Sequence, residues 1–263
     1  MSSLFTPRAS QSEILKYSGG RLGIAAVPGS GKTQVLSALA AQIISNGLLE
    51  SDQEVLIVTL VNSAVDNFTS RIADFIPLNG SLLHLGYRVR TLHGLAHDIV
   101  REDPSLVGLE PQFTIMDENA SLSLLKSSTD SWIRAHPDFL AGYLSSTIND
   151  RQRRRIANRD WPDYLENISA GFIRSAKDRH LSPADLRAAL GPSRDPLPLA
   201  LMGLDIYEDY QRALAYRGAV DFDDLIRLAF LALDTSPELL KRLRHRWPFI
   251  LEDEAQDSSH IQQ

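Results

Sequence analysis

The chain has 263 residues, is 43% hydrophobic, carries a formal net charge of −6 and contains no cysteine. That length can bury one good core, or one core plus a smaller satellite domain. The missing cysteines exclude disulfides and cysteine-based zinc or redox sites, and no apolar stretch approaches the ~18 residues of a membrane span.

In chain order, Met1-Ser-Ser-Leu-Phe-Thr-Pro-Arg8 lacks the basic-then-apolar layout of a signal peptide, so a soluble, cytoplasmic protein is expected. The apolar run Leu22–Val27 reads as a buried strand, and Lys32–Ser45 as a helix with an apolar stripe. Between them lies Ala26-Val27-Pro28-Gly29-Ser30-Gly31-Lys32-Thr33. It fits the phosphate-loop pattern, with Ala26 in place of the first glycine. Small residues let successive backbone N–H groups face one concavity, and the helix N-terminus adds partial positive charge. Lys32 would reach the β- and γ-phosphates of ATP, and the Thr33 hydroxyl would bind Mg²⁺.

Further strands are predicted at 54–59 and 88–92, and helices at 63–75 and 93–101. Strands alternating with helices predict an α/β fold: a parallel sheet covered by helices on both faces. From about Asp117 to Ala215 the pattern is helical, with candidates at 120–126, 139–144, 162–175, 183–190 and 200–216. Ser182-Pro183-Ala184-Asp185 reads as a helix start, with a serine cap and Pro at the first helical position. Arg151, Arg153, Arg154, Arg155 and Arg159 cluster in this block, either as a solvated helix face or as a phosphate-contacting patch. His93 and His97 share a helical face, but no Glu follows His93 as a zinc-protease helix needs.

Strand character returns in Trp247-Pro-Phe-Ile-Leu-Glu-Asp-Glu-Ala-Gln-Asp257. The run Pro248–Leu251 would deliver Asp253 and Glu254 to the C-terminal edge of the sheet, where open α/β folds bind ligands. Asp253 suits the Mg²⁺ shell, and Glu254 would orient or deprotonate a water. Loop and acidic pair together complete one MgATP site. The sheet is therefore expected to be interrupted by an all-helical insertion, with domains at 1–112 plus 216–263 and at 113–215.

Taken in order, these motifs resemble the superfamily 1 DNA helicases of the UvrD/Rep type, over essentially the whole chain. Gln11, upstream of the loop, resembles the family's adenine-reading glutamine, whose amide both donates and accepts. Val58-Thr59-Leu60-Val61-Asn62-Ser63-Ala64 is similar to a family segment that lies along single-stranded DNA. Thr91-Leu92-His93-Gly94-Leu95-Ala96-His97 is close to the family's Thr-Phe-His-Gly-Leu-Ala-His. Phe113–Asp117 looks like the opening of the helical 1B insertion, and Asp221-Phe-Asp-Asp-Leu225 like the run that re-enters the motor domain. Asp253-Glu254-Ala255-Gln256-Asp257 matches the Asp-Glu-x-Gln-Asp box, so Gln256 inherits a role in sensing the γ-phosphate and attacking water.

The resemblance implies a RecA-like P-loop domain 1A with insertion 1B, using ATP and Mg²⁺ on single-stranded DNA and single/double-strand junctions in repair or recombination. Thr59, Asn62, Thr91 and His93 become the DNA-contact candidates. Leu60 and Leu92 stand where phenylalanine is common, losing a stacking face worth about 1–3 kcal/mol per base. Ser63 replaces a common lysine, and Gln34 a common arginine. The family's second RecA-like domain, with its arginine-bearing motif, has no counterpart in residues 1–263. The chain is therefore expected to be the N-terminal part of a longer parent, unable to unwind DNA alone. Two other readings stand beside this one: a stand-alone nucleotide-binding regulatory module, and the N-terminal part of an AddA/RecB-like helicase–nuclease.

Overall fold

The computed structural model describes residues 6–76, 86–145, 147–191 and 197–257. The N-terminal Met1–Phe5 and the last six residues, on which some of the sequence expectations fall, lie outside that set. The chain divides into two compact units, 1–99 with 232–258, and 100–231.

The first unit is mixed α/β. Helix α1 (Ala9–Ile14) precedes α2 (Lys32–Ser45), β1 (Val55–Thr59), α3 (Asn62–Phe75), β2 (Tyr87–Thr91) and α4 (Leu92–Glu102). The three strands β2, β1 and the late strand β5 (Phe249–Glu252) form a parallel sheet in the order β2-β1-β5. β1 reads Val-Leu-Ile-Val-Thr and is buried at all five positions, as a central parallel strand should be. β2 alternates buried and half-buried residues, and β5 leaves Ile250 62% exposed, so both behave as edges. Leu39, Ala40 and Ile43 of α2 and Phe68 and Ile72 of α3 pack with Val55, Ile57, Val89 and Leu251 into one core.

Leu22–Val27, predicted as a buried strand, runs outside the sheet, with Leu22 half exposed and Val27 73% exposed. Both edges of β1 are taken by β2 and β5, and among the described residues the outer edges of β2 and β5 pair with nothing. Hydrophobicity marks a run for burial; it does not supply the neighbouring strand whose N–H and C=O groups would hold it.

In the second unit, β3 (Thr114–Ile115) is followed by α5 (Glu118–Ala135), α6 (Asp150–Arg155), a π-helical turn (Ile156–Asp160) and α7 (Trp161–Lys177). Then come α8 (Pro183–Leu190), α9 (Pro198–Tyr216), β4 (Ala219–Val220) and α10 (Phe222–Thr235), the last ending in the first unit, where α11 (Pro237–Arg246) leads into β5. The α8 start is as predicted: the Asp185 N–H donates to Ser182 Oγ and the Ser182 N–H to Asp185 Oδ2. The stretch 139–144, predicted as a helix, holds a 3₁₀ turn at Phe139–Tyr143. β3 and β4 pair in parallel, the Thr114 N–H donating to the Gly218 carbonyl and the Met116 N–H to the Val220 carbonyl. That short ladder brings together the two ends of the helical segment.

Helices α5, α7 and α9 share a core of Trp132, Leu165, Met202, Ile206, Tyr207 and Leu214. Beside it sits a buried charged network. Lys177 is 1% exposed and donates to Asp221 at 2.5 Å, with Asp224 at 3.0 Å. The Tyr210 hydroxyl donates to Asp221 at 2.7 Å, and the Gln211 amide to Asp224 at 2.9 Å.

At Gly203 the backbone of α9 meets the Phe172 ring of α7. A Cβ there would stand 2.8 Å from the ring's Cγ. Alanine normally stabilises a helix interior by about 1 kcal/mol over glycine. Overpacking of about 1–3 kcal/mol should outweigh that gain. Gly203→Ala is thus expected to lower the thermal midpoint; a raised midpoint in a melt would show that the ring swings aside freely. Among the described residues, no helix is long and apolar enough to cross a membrane.

Candidate nucleotide-binding site

The loop before α2 turns on two glycines in the left-handed region, Gly29 at φ +75° and Gly31 at φ +88°, a conformation that favours glycine. Gly31 is the N-cap of α2, and no side chain caps that helix. Its first-turn N–H groups therefore remain available to an anion. Gln11 braces the loop from behind. Its Oε1 accepts from the Arg8 N–H at 2.9 Å and its Nε2 donates to the Ser30 carbonyl at 3.1 Å. Each end of a primary amide has room for a second hydrogen bond, so this brace leaves capacity for a base edge. Pairing between Gln11 and the loop backbone is a contact that the sequence carries no signal for. Ser30 Oγ is buried without a partner.

The acidic box arrives from the other end of the chain. The Asp253 N–H donates to the Val58 carbonyl at 2.9 Å, extending the β1–β5 ladder by one residue. That fixes Asp253 at the C-terminal edge of the sheet, 7% exposed. Burial, then the neighbouring Glu254 charge, raise its carboxyl above the ordinary range, and Lys32 pulls it part-way back. A bound divalent cation reverses such a shift, which is the electrostatic profile a metal ligand needs.

Glu254 follows at φ +60°, left-handed and carrying a side chain, a conformation that costs about 1–2 kcal/mol. The turn brings Glu254 Oε2 to 2.9 Å from Lys32 Nζ, and the Gln256 amide donates to the same oxygen. These two bonds hold the Glu254 carboxyl below its ordinary range, and Glu254 in turn raises the Lys32 ammonium. Lys32, Asp253, Glu254 and Gln256 are thus brought together from positions more than 200 residues apart.

The DNA-contact candidates are distributed differently. Thr59 and Thr91 end adjacent strands in register, at the same sheet edge as Asp253. The Thr59 side chain is buried, at 2% exposure, and Thr91 Oγ1 accepts from the Gly94 N–H at the start of α4. Asn62 is exposed on the first turn of α3, and His93 is half-buried on α4.

The site's residues fit a nucleotide's phosphates. The uncapped helix start, the partnerless Ser30 hydroxyl and a lysine held by a single exchangeable carboxylate all point that way. The chain also matches the family described as UvrD/REP helicase N-terminal domain over residues 8–263. The chain belongs to that family. Among curated relatives it is 29% identical over 253 residues to the ATP-dependent DNA helicase PcrA of Leuconostoc citreum, covering 96% of this chain and 29% of that protein. It is 27% identical over 261 residues to a probable DNA helicase II homolog of Rickettsia felis, covering 98% of this chain and 34% of the relative. A Staphylococcus aureus PcrA is 27% identical over 252 residues, covering 96% and 30% respectively. The chain therefore spans about a third of the length of these relatives.

A phosphate that bound Lys32 would have to displace Glu254, and a neutral amide competes less well than a carboxylate. Glu254→Gln is expected to tighten nucleotide binding by about 5-fold and to slow hydrolysis by about 10²–10⁴-fold. Fluorescent-nucleotide titration beside phosphate release checks both; unchanged or weaker binding would show that the pair does not gate the loop.

Proposed function

We propose that the chain is the ATP-binding N-terminal portion of an ATP-dependent DNA helicase or translocase. Its substrates are single-stranded DNA and single/double-strand junctions, in repair or recombination. Residues 1–112 and 216–263 make up its RecA-like domain, and 113–215 its helical insertion. The β3–β4 ladder supports the insertion, since it returns the chain to where it left. The observation that carries the functional reading is the meeting of Lys32 with Glu254 at the sheet edge, 222 residues apart in sequence. Relatives that share nearly the whole chain are named ATP-dependent DNA helicases.

Lys32 and the α2 N-terminus hold the phosphates, Gln11 meets the adenine, and Thr33 and Asp253 take the Mg²⁺. Held by those two residues, the metal would neutralise the charge that develops on the transferred phosphoryl group. Glu254, released from Lys32, orients the attacking water, and Gln256 senses the γ-phosphate from the same turn. The remaining length of the parent protein supplies the second motor domain and its arginines, worth about 10³–10⁵ in rate in well-studied NTPases.

The test is ATP hydrolysis by this chain with and without single-stranded DNA, using Lys32→Ala as control. Slow, Lys32-dependent turnover is expected. Fast Lys32-dependent turnover would mean that the chain needs no second domain. Turnover indifferent to Lys32 would contradict the site itself.

A further inference from the structure

Just before β1 the chain makes a tight turn from Glu50 to Gln53. The Gln53 N–H donates to the Glu50 carbonyl at 3.1 Å, and the Glu50 N–H to Gln53 Oε1 at 2.9 Å. The next residue fastens this turn to the end of α11, the Glu54 N–H donating to the Arg246 carbonyl at 2.8 Å. His245, one residue earlier on α11, stands beside the turn, with Nε2 3.0 Å from Asp52 Oδ2. Glu50 joins them: one donor atom from each of Glu50, Asp52 and His245 lies within 4.8 Å of the other two, and all three residues are exposed. The last turn of α11 carries Arg244 and Arg246, yet among the described residues no lysine or arginine pairs with Glu50 or Asp52. The imidazole takes Asp52, and Glu50 keeps its carboxylate lone pairs. Two carboxylates held this close repel one another, and a divalent cation between them reverses that cost.

From this arrangement we propose that Glu50, Asp52 and His245 form a surface site for a divalent first-row transition ion of the zinc class. One imidazole nitrogen and two carboxylate oxygens are a donor set that zinc accepts, with bonds of about 2.0–2.2 Å. Around such bonds neighbouring donors stand roughly 3 Å apart, the separation already held between Asp52 and His245. The imidazole sets the ion's class. Mg²⁺ and Ca²⁺ prefer all-oxygen shells, whereas imidazole suits zinc, nickel and copper. Binding takes the lone pair of His245 Nε2, so the ion replaces the proton shared with Asp52. Exposure leaves the remaining coordination positions to water. The site is separate from the nucleotide's Mg²⁺ position, because it precedes β1 while Asp253 sits past the other end of that strand. Five strand residues at about 3.3 Å each keep the two roughly 16 Å apart. The ion acts as a clip: it ties the turn that opens β1 to the helix that leads into β5, across 193 residues of sequence.

The test is calorimetric titration of Zn²⁺ into the chelator-treated chain without nucleotide, beside thermal melts with and without the ion. It compares the wild type, the double variant Asp52→Asn/His245→Gln, the pair variant His93→Gln/His97→Gln, and Asp253→Asn. The wild type should bind Zn²⁺ at this site and melt several degrees higher when the free ion stands at about a hundredfold its Kd. The double variant should lose at least the ~10–100-fold that removal of an outer-shell partner costs a metal site, and the melting shift with it. Its midpoint in chelator should match the wild type, since both residues are exposed, which guards against a folding defect. The His93/His97 and Asp253 variants should keep both the binding and the shift, and a millimolar excess of Mg²⁺ should not displace the ion. Zn²⁺ binding unchanged in the double variant, or lost instead in the His93/His97 or Asp253 variant, would overturn the proposal. So would a wild-type chain that shows no saturable Zn²⁺ binding.

Discussion

Lys32→Ala is expected to weaken MgATP binding by about 10–150-fold, the loss of one or more charge-assisted hydrogen bonds to phosphate. Lys32 Nζ lies 2.9 Å from Glu254 Oε2, and Gln11, which braces the loop, has no charge to offer a phosphate. The fold should not suffer. Lys32 opens α2, alanine is a good helix former, and Glu254, 39% exposed at its side chain, can be hydrated once the lysine is gone. Nucleotide titration should show the loss with an unchanged thermal midpoint. A variant that binds normally would separate the loop from the phosphates.

Lys177→Met is expected to carry the largest stability cost in the chain, about 3–5 kcal/mol. Methionine preserves the packing of the stem and deletes the ammonium, with its charge and its hydrogen bond to Asp221. Asp221 would then keep only neutral partners, the Tyr210 hydroxyl and the Asp224 N–H, while Asp224 would keep Gln211 and Arg227 at 3.6 Å. Burial pushes Asp221 up, but Lys177 outweighs it and holds the carboxyl below its ordinary 3.8.

The pH dependence follows from that direction. In the wild type this group contributes stability above its unfolded pKa, and the contribution is lost as pH falls through the depressed folded value. In the variant, burial is opposed only by the bonds from the Tyr210 hydroxyl and the Asp224 N–H, so the folded pKa rises and protonation at acid pH relieves the penalty. The difference between the two proteins should be greatest near pH 7 and shrink toward pH 4. Denaturant melts at both pH values decide the matter. A small deficit, or one that grows in acid, would mean that the carboxylates do not depend on Lys177.

The candidate site was legible because its chemistry is local. A phosphate loop needs small residues at fixed spacing, and the acidic box follows its strand directly, so both could be read before any contact was known. Helices 32–45 and 183–190 were equally plain, the second from its serine cap and proline. Leu22–Val27 was misread because its burial depends on a neighbouring strand that no local pattern reveals. β3 and β4 are two residues each, too short for any periodicity to register. Helices α10 and α11 lay between two motifs and were not singled out. Lys177 looks like any surface lysine in sequence; only the packing of α7 against α9 and the approach of Asp221 make it a core residue. The π turn at Ile156–Asp160 is likewise a backbone event with no signature of its own.

Loop and acidic box should act as one MgATP site, and calorimetric titration of ATP with and without Mg²⁺ tests this. The wild-type chain should bind a single nucleotide with a clear Mg²⁺ requirement. Asp253→Asn should bind weakly and equally in both conditions, while its thermal midpoint rises slightly because a buried carboxylate with a raised pKa has been removed. Mg²⁺-dependent binding that survives intact in Asp253→Asn would contradict the account.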